Sequence, residues 1–397
     1  SCRATCMEFD LSWILLGLPV AFVLGWLASR WDLRQIRAEN RQAPKAYFKG
    51  LNFLLNEQQD KAIDAFIEAV QNDPDTSELH FALGNLFRRR GEYNRAVRVH
   101  EHLLSRGDLS RVDRDRAQHA LAQDFLKAGL LDRAEDALRR LEGTAFEAEA
   151  RLALLAIYER SRDWTQAAAI ARRMQDASQG DFSGRLAHYL CEDAQSLLAQ
   201  GQQSEALQRL QQAIATAPQA ARPRLEHAQL LHRMGQSAQA LHTLESLAEQ
   251  SPAALPLAAQ LLVDIAAATG QRQHIHQLLS QQYEQAPSLD LLQALVALDA
   301  QIEAHGNDRE TRAPGRARLV QHLDREPSLV AAAQWLAGEK LAEEQYHPAV
   351  QRALDHAAKP LTRYRCAACG FEARQHFWHC PGCQSWDSYP ARRVEEL

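Results

Sequence analysis

Between Met7 and Arg365 the sequence holds a single cysteine, Cys191. That scarcity excludes a secreted disulfide scaffold and points to a reducing compartment for the bulk of the chain. The signatures of the common enzyme classes are also missing: there is no G-x-G-x-x-G, no P-loop and no G-x-S-x-G. No basic excess exists, since 45 Lys and Arg stand against 50 Asp and Glu for a net charge of −5. Global attraction to nucleic acid is therefore not expected. Aromatic residues make up only 7 %, while Ala and Leu dominate, a composition suited to a helical protein. At 397 residues the chain is too long for one ordinary domain.

The near-misses to catalytic motifs have structural readings. "GDFSG" (180–184) sets Ser183 one residue away from a nucleophile elbow and reads as a turn. "HEH" (100–102) lacks the second histidine of a zincin helix, and His100 occupies a position that packs. His274 and His276 would project about 200° apart on a helix, too far to share a metal. Cys191 falls in a helical stretch and reads as a small buried hydrophobe.

What is present begins with an uncharged run from Leu11 to Ser29. As a helix it would rise about 28 Å, close to the thickness of a bilayer's hydrocarbon core. Trp13, Trp26 and Trp31 lie near its ends, where indoles favour the membrane interface. Arg30, Arg34, Arg37, Arg41 and Lys45 follow it, whereas Glu8 and Asp10 precede it with only Arg3 opposing them. The positive-inside rule then places the C-terminal bulk in the cytoplasm. A cleaved signal would carry basic residues before the run and an A-x-A-like site after it, and neither is present. Residues 1–6 carry no readable signal.

The middle of the chain repeats. "GLNFLLNEQQDKAIDAFIEAVQNDP" (50–74) aligns with "GNLFRRRGEYNRAVRVHEHLLSRGD" (84–108), with Gly50 and Gly84, Phe53 and Phe87, and Ala62 and Ala96 each 34 apart. Further copies centre on Ala122 to Ala134, Tyr158 to Ala167, Gly201 to Ala206, Gly235 to Ala240, and Gly270. The period and pattern resemble the tetratricopeptide repeat: paired helices whose small residues allow close approach, with prolines such as Pro74, Pro218, Pro252 and Pro287 ending the second helix. The expected fold is all-α, a tetratricopeptide-repeat α-solenoid presenting an extended surface for proteins or peptides. The period dissolves over 288–357, although 288–304 and 328–345 still read as amphipathic helices around a polar loop at 305–317. Arg88, Arg89, Arg90, Arg95 and Arg98 form a basic cluster suited to an acidic partner or anionic lipid, with a solvated face as the plainer reading.

The chain ends in "YRCAACGFEARQHFWHCPGCQSWD" (364–387), which carries two Cys-x-x-Cys pairs. Cys366, Cys369, Cys380 and Cys383 can close a tetrahedral thiolate site, leaving His376 and His379 unneeded. Thiolate tetrahedra accept both zinc and iron. Two facing pairs also exclude a thioredoxin-type active site. A module this small cannot bury enough core to fold alone, so the metal is expected to be structural, with the aromatic residues Phe371, Phe377, Trp378, Trp386 and Tyr389 as core and as a docking face toward the last helices. The array's own core is expected not to run through it. Arg363, Arg365, Arg374, Arg392 and Arg393 lie nearby but are offset by Glu372, Asp387, Glu395 and Glu396.

The knuckles C-x-x-C-G and C-P-G-C resemble those of rubredoxin. The order of anchor, tetratricopeptide repeats and four-cysteine module resembles the lipopolysaccharide assembly protein B family of Gram-negative bacteria. The likeness runs from Met7 onward and is most specific at 52–66 and 364–386. It implies a single-pass inner-membrane protein facing the cytoplasm, and the lack of catalytic motifs adds the expectation that the chain is not an enzyme. It further implies one iron ion on Cys366, Cys369, Cys380 and Cys383, and restraint of lipopolysaccharide synthesis. The implied partners are a membrane-anchored AAA+ protease, the lipid A pathway deacetylase it degrades, and other lipopolysaccharide-synthesis proteins. Two rival functions are electron transfer through a four-cysteine iron site and a nucleic-acid-binding zinc ribbon. The expected organisation is an N-terminal tail (1–10), a transmembrane helix (11–29), a basic linker (30–42), the repeat array (43–287), degenerate helical repeats (288–358) and the rubredoxin-like metal module (359–397).

Overall fold

In the computed structural model of the protein, residues 22, 23, 26, 48–53, 55, 56, 58–72, 77–305, 314–338 and 347–397 are described. They fall into two compact units, one ending at Ser161 and the other running from Arg162 to Leu397. The expected membrane span and the linker after it lie outside the described residues, apart from Phe22, Val23 and Trp26, which are helical and exposed.

Both units are built from helix pairs. The first contains Gln59–Asn72, the pair Ser77–Arg89 and Tyr93–Ser105, the pair Arg111–Ala128 and Leu131–Arg139, and Glu147–Ser161. The second opens with Trp164–Asp176. It continues with the pairs Ser183–Ala199 and Gln203–Thr216, Ala221–Arg233 and Ser237–Gln250, and Ala259–Thr269 and Arg272–Gln285. Pro218, Pro252 and Pro287 each follow the second helix of a pair, as expected, while Pro74 lies outside the described residues.

Two local rules recur. The turn inside a pair passes through a left-handed residue, Gly91, Gly129, Gly201, Gly235 or Gly270, with φ between 76° and 81°. Glycine adopts that conformation without a Cβ penalty and ends the first helix there. Five positions later stands a residue with no exposed surface: Ala96, Ala134, Ala206, Ala240 or Ile275. Arg162, at φ 59°, takes the turn position before the equally buried Ala167. Side-chain caps start other helices: Ser110 accepts from the Asp113 amide, Asp163 from Gln166 and Ser328 from Ala331.

The pairs continue where the sequence period fades. Leu289–His305 packs on Pro314–Arg325, and Leu329–Ala337 on His347–Ala358. Two of these helices were not legible from the repeat pattern. Part of the loop expected over 305–317 is helical, since His305 ends one helix and Pro314–Arg325 forms the next, with proline's fixed φ and missing N–H suited to a first turn; residues 306–313 lie outside the described residues. Among the described residues one stretch, Pro252–Thr269, has the length and apolarity of a membrane span. Leu255, Ala258, Leu262, Ile265 and Ala266 within it are fully buried in the second unit's core, which accounts for its composition.

The first unit shows how tightly the small positions are set. A Cβ on Gly50 would lie 3.0 Å from the Phe66 ring, and one on Gly84 would lie 2.4 Å from Nε2 of His100. His100 holds the place of Phe66 one repeat later. Nδ1 of that histidine lies 2.5 Å from Oδ2 of the wholly buried Asp124, while Nε2, on the side of Gly84, has no hydrogen-bond partner. Arg88 donates to the other carboxylate oxygen at 2.7 Å and to the Ala120 carbonyl at 3.0 Å. The ring is therefore held against Gly84 and cannot swing away cheaply. Gly84→Ala should lower the stability of the first unit by about 1–3 kcal/mol, read as a fall in the urea midpoint. An unchanged midpoint would mean that the ring is free to leave Asp124.

Candidate metal centre

The C-terminal module is two matching loops. β1 (Tyr364–Arg365) pairs antiparallel with β2 (Glu372–Ala373), with Tyr364 opposite Ala373, and the turn between them carries Cys366 and Cys369. The amide of Gly370 donates to the Cys366 carbonyl at 2.9 Å, and Gly370 is left-handed at φ 77°. The second loop repeats the turn: the Gln384 amide donates to the Cys380 carbonyl at 2.8 Å, with Gln384 at φ 60°. A bridge between His379 and Trp386 closes it.

These turns bring the four Sγ atoms within 4.8 Å of one another. Cys366 and Cys383 are 3.8 Å apart, and Cys369 and Cys380 are 3.7 Å apart. A metal–sulfur bond of about 2.3 Å in a regular tetrahedron implies a sulfur–sulfur edge of about 3.8 Å. The donor set therefore fits one thiolate-bound metal ion. His376 and His379 are engaged elsewhere, with Nε2 of each facing the carbonyls of Tyr389 at 3.0 Å and Gln384 at 2.9 Å.

The thiols are unequal. Burial opposes ionisation of Cys366, but the Ser388 hydroxyl and the amides of Cys369 and Ala368 outweigh it and bring the pKa down to about 6. Hydrogen bonds from Ser385 lower that of Cys383. At Cys369 the Phe371 amide favours the thiolate, yet desolvation and the neighbouring thiols prevail and push the pKa up to about 12. Four thiolates this close repel one another, and a bound cation removes that repulsion and ionises the set. Cys366 and Cys380 are buried whereas Cys369 and Cys383 are exposed, so one edge of the centre meets solvent.

The module docks on the second unit at two places. At the first, Trp386 is stacked between His379 of the module and His188 of Ser183–Ala199, with ring centroids 4.2 Å and 4.5 Å away. Trp164 and Tyr189 approach the same indole edge-on at 6.2 Å and 6.1 Å. Nε2 of His188 lies 2.8 Å from Asp387 Oδ2, across 199 positions of sequence. At the second, Arg393 donates two hydrogen bonds to Asp290, at 2.9 Å and 2.7 Å, with its guanidinium over the Tyr364 ring. The final turn then caps two helices. Glu395 accepts from the Ser328 hydroxyl at 2.8 Å and the Leu329 amide at 2.5 Å, and Glu396 accepts from the Leu289 amide at 2.7 Å. Carboxylates at helix N-termini satisfy orphan amides and oppose the helix dipole favourably.

This corrects one expectation. The array's core does meet the module, since Trp378 packs on the large cluster of the second unit and Leu257 packs on the module's own cluster. The docking face also reaches Ser183–Ala199, well before the last helices. His188, Trp164, Arg222 and Asp290 carried no local signal in the sequence, because each matters only through a residue far along the chain.

The other singled-out residues have structural partners. Within the basic cluster, Arg88 is paired with Asp124, Arg90 with Asp60 and Glu92, and Arg95 with Glu92 while lying over the Phe87 ring. Arg89 and Arg98 are exposed. His274 and His276 have separate carboxylates, Glu245 and Asp299. Cys191 is fully buried, and burial raises its thiol pKa. Ser183 begins a helix, with its amide donating to Asp181. Arg363 and Arg365 are paired with Glu372.

Repeated helix pairs ending in a four-thiolate knot define a tetratricopeptide-repeat protein with an integral metal module. Residues 79–112 and 197–265 match tetratricopeptide-repeat families, and 364–389 match the rubredoxin metal binding domain. The chain belongs to the lipopolysaccharide assembly protein B family. It is 30 % identical over 396 residues to lipopolysaccharide assembly protein B of Escherichia coli K12, covering 98 % of this chain and 100 % of that one. The Haemophilus influenzae protein of the same name is 27 % identical over 400 residues, covering 94 % and 96 %. A tetratricopeptide repeat protein of known structure from Parabacteroides merdae aligns with 64 % of this chain and 98 % of its own at 16 % identity, with a TM-score of 0.33.

Replacing Cys380 with Ser leaves three thiolates and a poor ligand. The purified variant should lose its metal by elemental analysis and its near-ultraviolet aromatic signal, while far-ultraviolet circular dichroism keeps most of the helical signal. Full retention of metal would refute the four-thiolate centre. Acidification should release the metal from the intact protein with uptake of protons, because the ligands are thiolates.

Proposed function

We propose that this chain is a membrane-tethered adaptor that restrains lipopolysaccharide synthesis. Its repeat array receives the deacetylase that commits precursors to lipid A and presents it to a membrane-anchored AAA+ protease, and it gathers other lipopolysaccharide-synthesis proteins. The span at 11–29 fixes it in the bacterial inner membrane with the array and module in the cytoplasm. The reading rests chiefly on near full-length kinship with lipopolysaccharide assembly protein B, joined to an architecture of stacked helix pairs whose clustered polar groups serve packing. Tethering suits such a role, since it confines adaptor, protease and substrate to one surface and raises their effective concentration. The metal held by Cys366, Cys369, Cys380 and Cys383 is iron in this reading, with zinc as the alternative, and it serves as a fold staple.

A second reading has one observation in its favour. Cys369 and Cys383 are exposed, which would let an iron centre exchange electrons with a partner. Regulation that tracks the oxidation state of bound iron would support it over the adaptor.

Two measurements test the adaptor. A chain beginning at Ala43 should fold normally yet lose most control over deacetylase level in cells, and full control by that soluble form would show the tether to be dispensable. A reporter fused after Leu397 should be active only in its cytoplasmic form. Periplasmic activity would overturn the orientation and with it the cytoplasmic partners.

A further inference from the structure

The second cysteine loop runs without interruption into the segment that grips the array. Cys380 and Cys383 are metal ligands in the reading above, and the next residues, Gln384 to Ser388, supply the left-handed turns at Gln384 (φ 60°) and Asp387 (φ 50°) as well as the stacked Trp386. Ser385 and Ser388 also face the sulfurs, with their hydroxyls 3.3 Å from Cys383 and Cys366. One short stretch therefore has two masters, the metal on one side and His188 on the other.

His188 is built to hold still. It is only 2 % exposed. Nη1 of Arg222 faces its Nδ1 at 3.5 Å, and Arg222 is itself fixed by Glu192 at 2.8 Å and Glu226 at 2.6 Å. Nδ1 faces the Arg222 donor and is placed to accept, while Nε2 is placed to donate to Asp387. Ring stacking and this hydrogen bond then act on adjacent residues, Trp386 and Asp387.

We propose that His188 is a positioning residue for the metal centre: by clamping Trp386 and Asp387 it holds the second cysteine loop in its metal-binding shape, so that metal retention and docking on the array are one coupled event. By reciprocity, loss of the metal loosens the clamp. Release uncovers the face of the array that Trp386 covers, made of Trp164, His188 and Tyr189, and dissolves the open groove of about 760 Å³ that Arg185, His188 and Pro218 wall together with Gln384 to Asp387. The metal thus decides whether that face is covered by the chain itself. The coupling rests on the four-thiolate reading, but His188 touches none of the four cysteines.

The test uses the full-length, metal-loaded protein in detergent and follows transfer of metal to a chromophoric chelator. His188→Ala should shorten the release half-time by about tenfold, within the usual range of coupling between sites. His188→Phe, which keeps a ring on Trp386 but no hydrogen bond, should fall between it and wild type. His274→Ala, an exposed histidine away from the module, should match wild type. Equal far-ultraviolet circular dichroism among the variants separates the effect from misfolding. Removing metal from wild type should also change its near-ultraviolet signal, and His188→Ala should already show part of that change. Release within about twofold of wild type in both His188 variants would overturn the coupling while leaving the centre intact. A wild-type chain with four free thiols and no metal would overturn the centre and the coupling together.

Discussion

Everything in the array depends on how closely two helix backbones can approach. Within each unit the second helix of a pair brings a buried residue to the contact, and in Ala62, Ala96, Ala134, Ala206 and Ala240 that residue is alanine with no exposed surface. In the first unit Gly50, on the helical stretch 48–53, and Gly84, on Ser77–Arg89, stand so close to Phe66 and His100 that an added methyl group would displace the ring. Where the small positions hold, pairs stack with little else in common. Where a repeat swaps its large residue for a polar one, the neighbouring helix must answer it. His100 replaces the phenylalanine of the preceding repeat, and Asp124 and Arg88 surround it with opposite charges and hydrogen bonds. Removing one member of such a buried group leaves the others uncompensated, so the group persists as a set.

The metal module lives under a different constraint. Its own buried core is Tyr364, Cys366, Cys380 and Tyr389, far too little apolar surface to hold two loops in register. Sulfur–metal bonds supply what hydrophobic burial cannot, and the second unit supplies the rest through Trp386, Arg393, Glu395 and Glu396. The last residues of the chain close the N-termini of Leu289–His305 and Leu329–Ala337, so the weakest part of the repeat pattern is also where the module is most firmly stitched to the helices. For an adaptor of lipopolysaccharide assembly, one consequence is spatial: part of the second unit's surface is already occupied by the chain's own C-terminus and is not open to a partner while the module stays docked.

Much of this was legible from residue types and spacing. The 34-residue period, the alanines at the contacts, the prolines after second helices and the two Cys-x-x-Cys loops are local patterns with local causes, and among the described residues they appear where the spacing put them, with Ile275 in place of alanine after Gly270. Legibility failed where the cause was distant. The helices Pro314–Arg325 and His347–Ala358 lack the repeat signature: the first makes its close approach through Gly315, where a Cβ would lie 3.2 Å from Val296, at the start of the helix and outside the 34-residue register. The basic cluster at 88–98 looks uniform as a string, yet Arg88 is drawn to the buried Asp124, Arg90 and Arg95 pair with nearby carboxylates, and Arg89 and Arg98 face solvent. Nothing in the string distinguishes them, since the charge that claims Arg88 comes from the next pair.

The sequence by itself determined the kind of fold and the chemistry of the centre. Helix periodicity, turn glycines and cysteine spacing act over a few residues, and their geometry follows from covalent structure and close packing. Only the tertiary structure decided where the module sits, which face of the array it covers, and that His188, Arg222 and Asp290 belong to its support. Those choices depend on contacts between distant residues, such as Arg393 with Asp290, 103 positions apart, and His188 with Asp387, 199 apart. Such pairs are selected by complementary shape and charge once the helices are stacked, and no short-range pattern encodes them.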